Sequence, residues 1–282
     1  MPEALEHNRL PRNFHKTFKP ERQYIAAMLR YAAAGKEGDY QAIAADTGIP
    51  TGTSSGKVPA ILDYCRGMGL LRLSGADRSA IKRPELTSFG RMVLLEDPFL
   101  KTAISQWIAH LNLCSPLTGA DVWYQLFFVG TQALGKSFPR TKLEYHLSVV
   151  YGVERGGLIG PMIGMYEDEA SFKLCGALAE DAGIVMRRSA PLNNELGRGY
   201  GAWIINLLRD HFPNQQQVTL TDLDAVSGWR TIAGWDPTMY SRVLELVERK
   251  GLISVDRHMD PWLIQPQINV EEAWKRIYDD LL

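Results

Sequence analysis

The sequence predicts a mainly α protein: an N-terminal winged helix-turn-helix domain, a central helical domain and a second winged-helix-like domain at the C-terminal end. Three observations carry this reading. Residues 39–95 run helix, break, helix, hairpin, helix; residues 122–134 (VWYQLFFVGTQAL) are apolar nearly all round, as in the middle of a helical domain; and residues 242–255 repeat the pattern of residues 60–73. The expected domains are 1–95, 96–217 and 218–282.

In the first domain, residues 1–20 form a Pro-punctuated extended segment with four basic residues, and residues 22–34 (RQYIAAMLRYAAA) form a helix stopped by Gly35. Residues 39–47 (DYQAIAADT) form a short helix, with Ile43, Ala44 and Thr47 at helical spacing, broken by Gly48-Ile49-Pro50. The small and hydroxyl residues 51–56 supply caps for the next helix at 57–68. There Val58, Ile61, Leu62 and Cys65 make the apolar stripe, and Lys57, Asp63 and Arg66 the polar side. Gly69 falls where a left-handed cap is needed. Residues 70–73 and 80–86 read as strands around a turn at 74–79, and a further helix begins within 86–95.

A module of this shape lays its second helix in the DNA major groove. The expected DNA contacts are therefore Lys57 and Arg66 on that helix, Arg72, Arg78, Lys82 and Arg83 on the hairpin, and Thr53, Ser54 and Ser55, whose backbone at a helix start can approach a phosphate. Winged helices also serve as dimerisation or protein-docking modules, so at this point the partner is double-stranded DNA or protein. Charge favours DNA at one end. Residues 1–95 hold 14 Lys and Arg against 9 Asp and Glu, whereas residues 218–282 hold 7 against 11, in a chain of net charge −1.

The central domain begins with residues 98–113, where Ile104, Trp107, Ile108 and Leu111 follow helical periodicity. Residues 142–151 extend it and end in a glycine-rich run from Gly152 to Gly164. A helix is expected at 166–183, with the acidic start Glu167-Asp168-Glu169 and Gly183 as its stop, and another at 200–212. In the last domain a helix at 221–227 precedes the repeat. A shift of 182 positions then matches Leu62 to Leu244, Asp63 to Glu245, Gly69 to Gly251 and Leu70 to Leu252. A hairpin with strands at 252–257 and 262–267 follows.

Composition narrows the class. At 282 residues, 45% hydrophobic and 22% charged, the chain is long enough for two or three cored domains. It has no signal-peptide run and nothing near the roughly 18 uninterrupted apolar residues of a membrane span, so a cytoplasmic protein without a membrane partner is expected. Cys65, Cys114 and Cys175 are widely spaced and form no C-x-x-C pair, and the six His lack ligand spacing, which argues against disulfides and structural zinc.

Catalytic motifs are scarce. The stretch Gly52-Thr53-Ser54-Ser55-Gly56-Lys57 is one residue short of a phosphate-binding loop and has Val58 where Ser or Thr is required, so no nucleotide site is recognised. Asp236 with Glu248-Arg249-Lys250 superficially resembles a nuclease acid and E-x-K, yet the latter lies at a helix end, where basic residues neutralise the dipole. Glu167, Asp168 and Glu169 are adjacent on their predicted helix and point in different directions. In Asn13-Phe14-His15-Lys16-Thr17-Phe18, His15 is the catalytic candidate for proton transfer, its other reading being a core histidine satisfying hydrogen bonds.

The run FHKTF, then Glu21-Arg22 and Tyr24-Ile25-Ala26-Ala27, then GIPTGTSSGKVPAILDYCRGMGLL, resembles the SspB component of Ssp-type bacterial DNA phosphorothioation systems, which is distinct from the protease adaptor of that name. The likeness is clearest over residues 13–95. It implies a DNA nicking protein acting beside a cysteine desulfurase, an ATPase and an ATP-pyrophosphatase-like subunit, which together replace a non-bridging phosphate oxygen by sulfur and mark host DNA for antiphage defence. Opening one strand would give the sulfur-inserting partners access. Of the family pattern, only His15 and the groove-facing helix at 57–68 carry over to this chain. The expected function is thus a DNA-binding nickase, with Mg as the cofactor to test. The rival reading is a non-enzymatic DNA-binding adaptor or transcriptional regulator.

Overall fold

The computed structural model describes residues 8–52, 56–75, 79–152, 156–258 and 260–281. The protein is mainly helical with three small antiparallel sheets among these residues, and it divides into two compact units, Met1–Arg188 and Ser189–Leu282.

The first unit opens with α1 (Arg22–Ala33), which buries Ile25, Ala26, Met28 and Leu29 at helical spacing. The next helix, α2 (Tyr40–Thr47), starts where the Asp39 carboxylate accepts the N–H groups of Gln41 and Ala42, at 3.0 and 2.8 Å, and stops at Gly48 in the left-handed conformation (φ 70°). After it, α3 (Lys57–Gly67) leads through left-handed Gly69 into the hairpin of β1 (Leu71–Leu73) and β2 (Pro84–Leu86), with Arg72 opposite Glu85. Gly38 adds a third edge, exchanging backbone hydrogen bonds with Lys82 at 3.2 and 2.8 Å.

No domain break follows residue 95. The helix α4 (Ser88–Glu96), capped by Thr87, runs on through a turn to α5 (Ala103–Leu113), and α5 packs on α3. At Gly67 of α3 an added Cβ would lie 2.8 Å from side chains of both Leu10 and Leu113, so the extended N-terminal segment and α5 close over the helix together.

The expected helix at 122–134 is three pieces: α6 (Asp121–Tyr124), a π-helical turn at Gln125–Val129, and α7 (Thr131–Leu134). Buried Gly130 ends the wide turn where a Cβ would meet Gln125 O at 2.7 Å and His146 Nε2 at 2.9 Å. Then come β3 (Ser137–Pro139), α8 (Arg140–Tyr151) and α9 (Gly156–Glu167).

The helix expected at 166–183 does not form. The glycine-rich run is itself helical in α9, and residues 178–187 make a hairpin of β4 (Leu178–Asp181) and β5 (Ile184–Arg187), with β5 central between β3 and β4. The reason is local. Ala182 and Gly183 both have positive φ, 47° and 78°, the tight two-residue turn that the twist of a hairpin favours, so Gly183 turns a strand instead of ending a helix.

The second unit is built around α10 (Gly197–His211). An added Cβ at Gly197 would lie 2.9 Å from Leu246, and one at Gly201 would lie 2.3 Å from Leu252. This close approach ties α10 to the C-terminal elements, which moves the expected boundary at 217 back to 188. The strand β6 (Val218–Thr219) leads into α11 (Leu220–Ser227), capped by the Thr219 hydroxyl and closed by left-handed Gly228. Then α12 (Trp229–Ala233), α13 (Pro237–Arg249), β7 (Ile253–Asp256), β8 (Leu263–Pro266) and α14 (Val270–Lys275) complete it, the sheet running β6-β8-β7. Its core holds Tyr200, Trp229 and Trp235, with the Tyr200 and Trp229 ring centroids 5.0 and 5.8 Å from that of Trp235.

Candidate nucleic-acid interface

The helix expected to face a groove has no open face. In α3, Val58 through Leu62, Tyr64, Cys65 and Gly67 are buried, leaving only Lys57, Asp63 and Arg66 part-exposed. The Tyr64 hydroxyl donates to Phe18 O at 3.1 Å and its ring meets Phe14 edge-on at 4.7 Å, so the N-terminal segment lies across the helix. This corrects the sequence expectation that residues 57–68 enter the major groove: eight of the eleven residues of α3 are buried, so it is mainly a core element with a narrow polar edge at Lys57, Asp63 and Arg66.

The cation at the start of α3 is likewise spent inside the molecule. Lys57 Nζ bonds Glu21 Oε1 at 2.6 Å and sits 4.6 Å from the Tyr24 ring centroid and 5.6 Å from that of Phe18, with its side chain only 17% exposed. It ties the start of α1 to the start of α3. The loop before it closes through an antiparallel bridge between Thr51 and Gly56. Thr53, Ser54, Ser55 and Arg78 lie outside the described residues.

His15 is 1% exposed, and burial pushes its imidazole down to about 4. Its Nδ1 accepts the Thr17 N–H at 3.1 Å, and its ring stands edge-on to Phe14 and Trp123, at 5.6 and 6.3 Å. A histidine so enclosed is neutral at physiological pH and is not presented to a polymer. Burial favours the core reading over the catalytic one, with Nδ1 satisfied and the buried Nε2 without a hydrogen-bond partner among the described residues.

What the fold does assemble is a basic cluster around one carboxylate. Asp63 bonds Arg66 at 3.0 Å; burial raises its carboxyl above the usual range, and the charges of Arg66, Lys82 and Lys16 pull it back. These three cations come from α3, the hairpin and the N-terminal segment. Tyr40, at the start of α2 and 36% exposed, belongs to the same cluster: Lys82 Nζ lies 5.8 Å from its ring centroid, and burial followed by the Asp63 charge raises its phenol. Lys16 is exposed and, like Thr17, has positive φ (45° and 71°), so the turn holding His15 inward also turns Lys16 outward. Ile81, 43% exposed, precedes Lys82 on the hairpin.

The remaining hairpin cations are exposed and held by exposed acids. Arg72 pairs with Glu85 across the strands at 2.9 Å, and the Ser74 hydroxyl and Arg72 together lower the Glu85 carboxyl. Arg83 pairs with Glu37. Such solvent-exposed pairs contribute little, so a phosphate can replace the carboxylate at small cost. Of the predicted contacts, Arg72 and Arg83 are exposed, Arg66 and Lys82 are part-exposed, and Lys57, 17% exposed against 24% for Arg66, is held by Glu21. Lys16, Tyr40 and Asp63 were missed because only long-range packing unites them. The one available signal was the basic residue inside FHKTF.

The acids singled out as nuclease-like are dispersed on structural bonds. Glu167 accepts the Glu180 N–H at 2.9 Å, Asp168 takes the Lys19 ammonium and the Ala170 N–H, and Glu169 pairs with Lys173 at 2.5 Å. Asp236 caps α13 through the Met239 N–H at 2.8 Å, and Glu248 binds Arg257 and the Val255 N–H. Among the described residues no three His, Cys, Asp or Glu side chains gather as metal ligands. The three cysteines are free and buried, and among the described residues no helix is long and apolar enough to cross a membrane.

No protein-family model matches the chain, and comparison with curated proteins finds no match. Solved structures do match. A crystal structure of SspB superposes with a TM-score of 0.67 at 17% identity, covering 95% of this chain and 87% of that one. A magnesium-bound SspB crystal structure gives 0.64 at 15% identity with the same coverage. In fold, therefore, this chain is like SspB along nearly its whole length.

Proposed function

We propose that this chain is a DNA-binding component of an Ssp-type phosphorothioation system, nicking one strand of host DNA so that sulfur can be inserted in antiphage defence. Two lines support the reading: the FHKTF-to-Leu71 resemblance and the likeness to SspB over 95% of the chain. The observation that supports DNA engagement is the pairing of Arg66 with Asp63 and the position of Lys82 by the ring of half-open Tyr40, with the charge of exposed Lys16 also reaching Asp63. In this reading residues 1–95 act as a winged helix that meets duplex DNA with its hairpin side, α3 serving as the support beneath. Arg72 and Arg83 exchange their carboxylate partners for backbone phosphates. The cysteine desulfurase, ATPase and ATP-pyrophosphatase-like subunits are the proposed partners, and action on host DNA places the protein in the cytoplasm.

The test is supercoiled plasmid incubated with the pure chain and Mg. Conversion to open circles, blocked by EDTA and weakened in a Lys16→Glu/Lys82→Glu variant, is expected. Salt-sensitive DNA binding without any nicking would overturn the enzymatic half. A second reading, a DNA-binding adaptor that recruits the other subunits, has its own support: each carboxylate the sequence singled out is already held by a structural partner.

A further inference from the structure

A second aromatic and cationic surface lies elsewhere on the first unit, at the start of α6. The N-terminal segment pairs with residues 117–121 there: the Leu10 N–H donates to Gly119 O at 2.8 Å and the Asp121 N–H to Leu10 O at 3.1 Å. This fixes Arg9, whose guanidinium bonds Asp121 at 3.1 Å and Pro116 O at 2.6 Å and lies 4.3 Å from the Tyr124 ring centroid. Tyr124 in turn stacks on Phe128, with centroids 5.2 Å apart and planes inclined by 23°. From α8, the Tyr151 hydroxyl donates to the other Asp121 oxygen at 2.6 Å, and Arg12 lies 5.3 Å from the Tyr151 ring centroid.

The result is three flat rings and two guanidiniums near one carboxylate, which binds Arg9 and Tyr151 directly, every one of the five side chains part-exposed. Val129 and Val150, next in sequence to Phe128 and Tyr151, are 48% and 40% exposed. The wide π-helical turn is what sets Phe128 and Val129 outward at this place, and such turns recur at functional sites. A fully closed core would bury these rings, and a purely polar surface would not gather them. Rings stacked with guanidiniums, carrying two positive charges to one negative, match the faces of unpaired bases joined by phosphates.

We infer that this surface binds a single strand of nucleic acid, its bases stacking against Tyr124, Phe128 and Tyr151 while Arg9 and Arg12 meet the backbone. The inference deepens the DNA reading above and rests on it. A strand released at a nick would be held here, by residues other than Lys16, Arg66 and Lys82.

The test uses the full chain, with fluorescence anisotropy on a labelled 20-nucleotide oligo-dT and on a 20-base-pair duplex. Phe128→Ala and Tyr124→Ala are each expected to weaken oligo-dT binding roughly tenfold, the 1.4 kcal/mol of one modest stacking contact, with duplex affinity unchanged. Oligo-dT carrying 5-iododeoxyuridine should photocrosslink, in the unmodified protein, to a peptide containing Tyr124, Phe128 or Tyr151. That arm decides the matter if a variant fails to fold. Duplex binding without oligo-dT binding, or crosslinks confined to other peptides, overturns this inference alone. Binding to neither substrate overturns it together with the DNA reading.

Discussion

Two helices in corresponding places, α3 and α13, have opposite fates. Each comes after an eight-residue helix that a side chain of the preceding residue caps and a left-handed glycine closes, Asp39 and Gly48 for α2 and Thr219 and Gly228 for α11, with the short α12 intervening before α13. Each passes through a left-handed glycine, Gly69 (φ 70°) or Gly251 (φ 71°), into a hairpin. The closing bonds match as well, from the Leu70 N–H to Cys65 O and from the Leu252 N–H to Val247 O. Yet α3 has no exposed residue, whereas α13 buries Val243, Leu244, Leu246 and Val247 on one side and exposes Arg242, Glu245 and Arg249 on the other. The same local chemistry makes a core element in one unit and a surface helix in the other. What differs is the cover: Leu10, Phe14, Phe18 and α5 lie over α3.

The largest contrast is expected from truncating one side chain in each helix. Tyr64→Ala in α3 removes a fully buried ring and a hydrogen bond and is expected to cost about 3–5 kcal/mol, while Arg242→Ala in α13 stays within about 0.5 kcal/mol. Urea midpoints measure both. Similar midpoints for the two variants would mean that α3 is not enclosed.

Next in size is the response to acid, which tests how dry the cover is. Burial lowers His15 to about 4 and His110 to about 3, both below the usual 6.5 of histidine. Both are neutral in the folded state while the unfolded chain takes up protons below about 6.5. Stability should therefore be intact above that pH and fall as the pH drops from 6.5 toward about 4. The slope approaches about 1.4 kcal/mol per pH unit for each histidine. His15→Gln should flatten it. An unchanged slope in that variant would place water at His15.

Smaller still is the effect of surface charge, which asks whether the first unit alone meets DNA. Lys16→Glu with Lys82→Glu should weaken duplex binding by about tenfold or more and reduce the logarithmic salt slope by about 0.9 for each phosphate that is no longer neutralised. Reversing Arg242 and Arg249 on α13 should leave duplex affinity unchanged. Equal weakening from both pairs would assign DNA to both units.

The smallest difference is expected where the two units are most alike. Asp39→Ala and Thr219→Ala each remove a cap and should each cost about 1 kcal/mol by thermal or urea melting.

Much of this was readable in advance. The bounds of α1, α2, α3 and α10 follow from apolar periodicity and glycine stops to within a few residues, and both hairpins at 70–86 and 252–267 form where alternation and turn residues placed them. The helix expected at 166–183 failed because glycine serves two conformations: the same left-handed backbone that ends a helix also closes a two-residue turn, and Gly183 does the latter. The site was less legible. Arg66 and Lys82 were named from a pattern, but Lys16, 50 positions before Arg66, joins them only because the N-terminal segment crosses α3.

The order of helices and hairpin over residues 22–96, the hairpin at 252–267, the caps and the excess of cations before residue 95 were already set by the amino-acid order, because these depend on neighbours a few positions apart and on composition. That order also made α3 apolar enough to need cover. It took the packed fold to establish that the cover comes from residues 10–18 and α5, that Lys57 answers Glu21 while Arg66 and Lys82 meet around Asp63, and that Arg9 lies over Tyr124. Burial and pairing are set by distances between residues remote in the chain, and no local pattern encodes which cation is left facing the solvent.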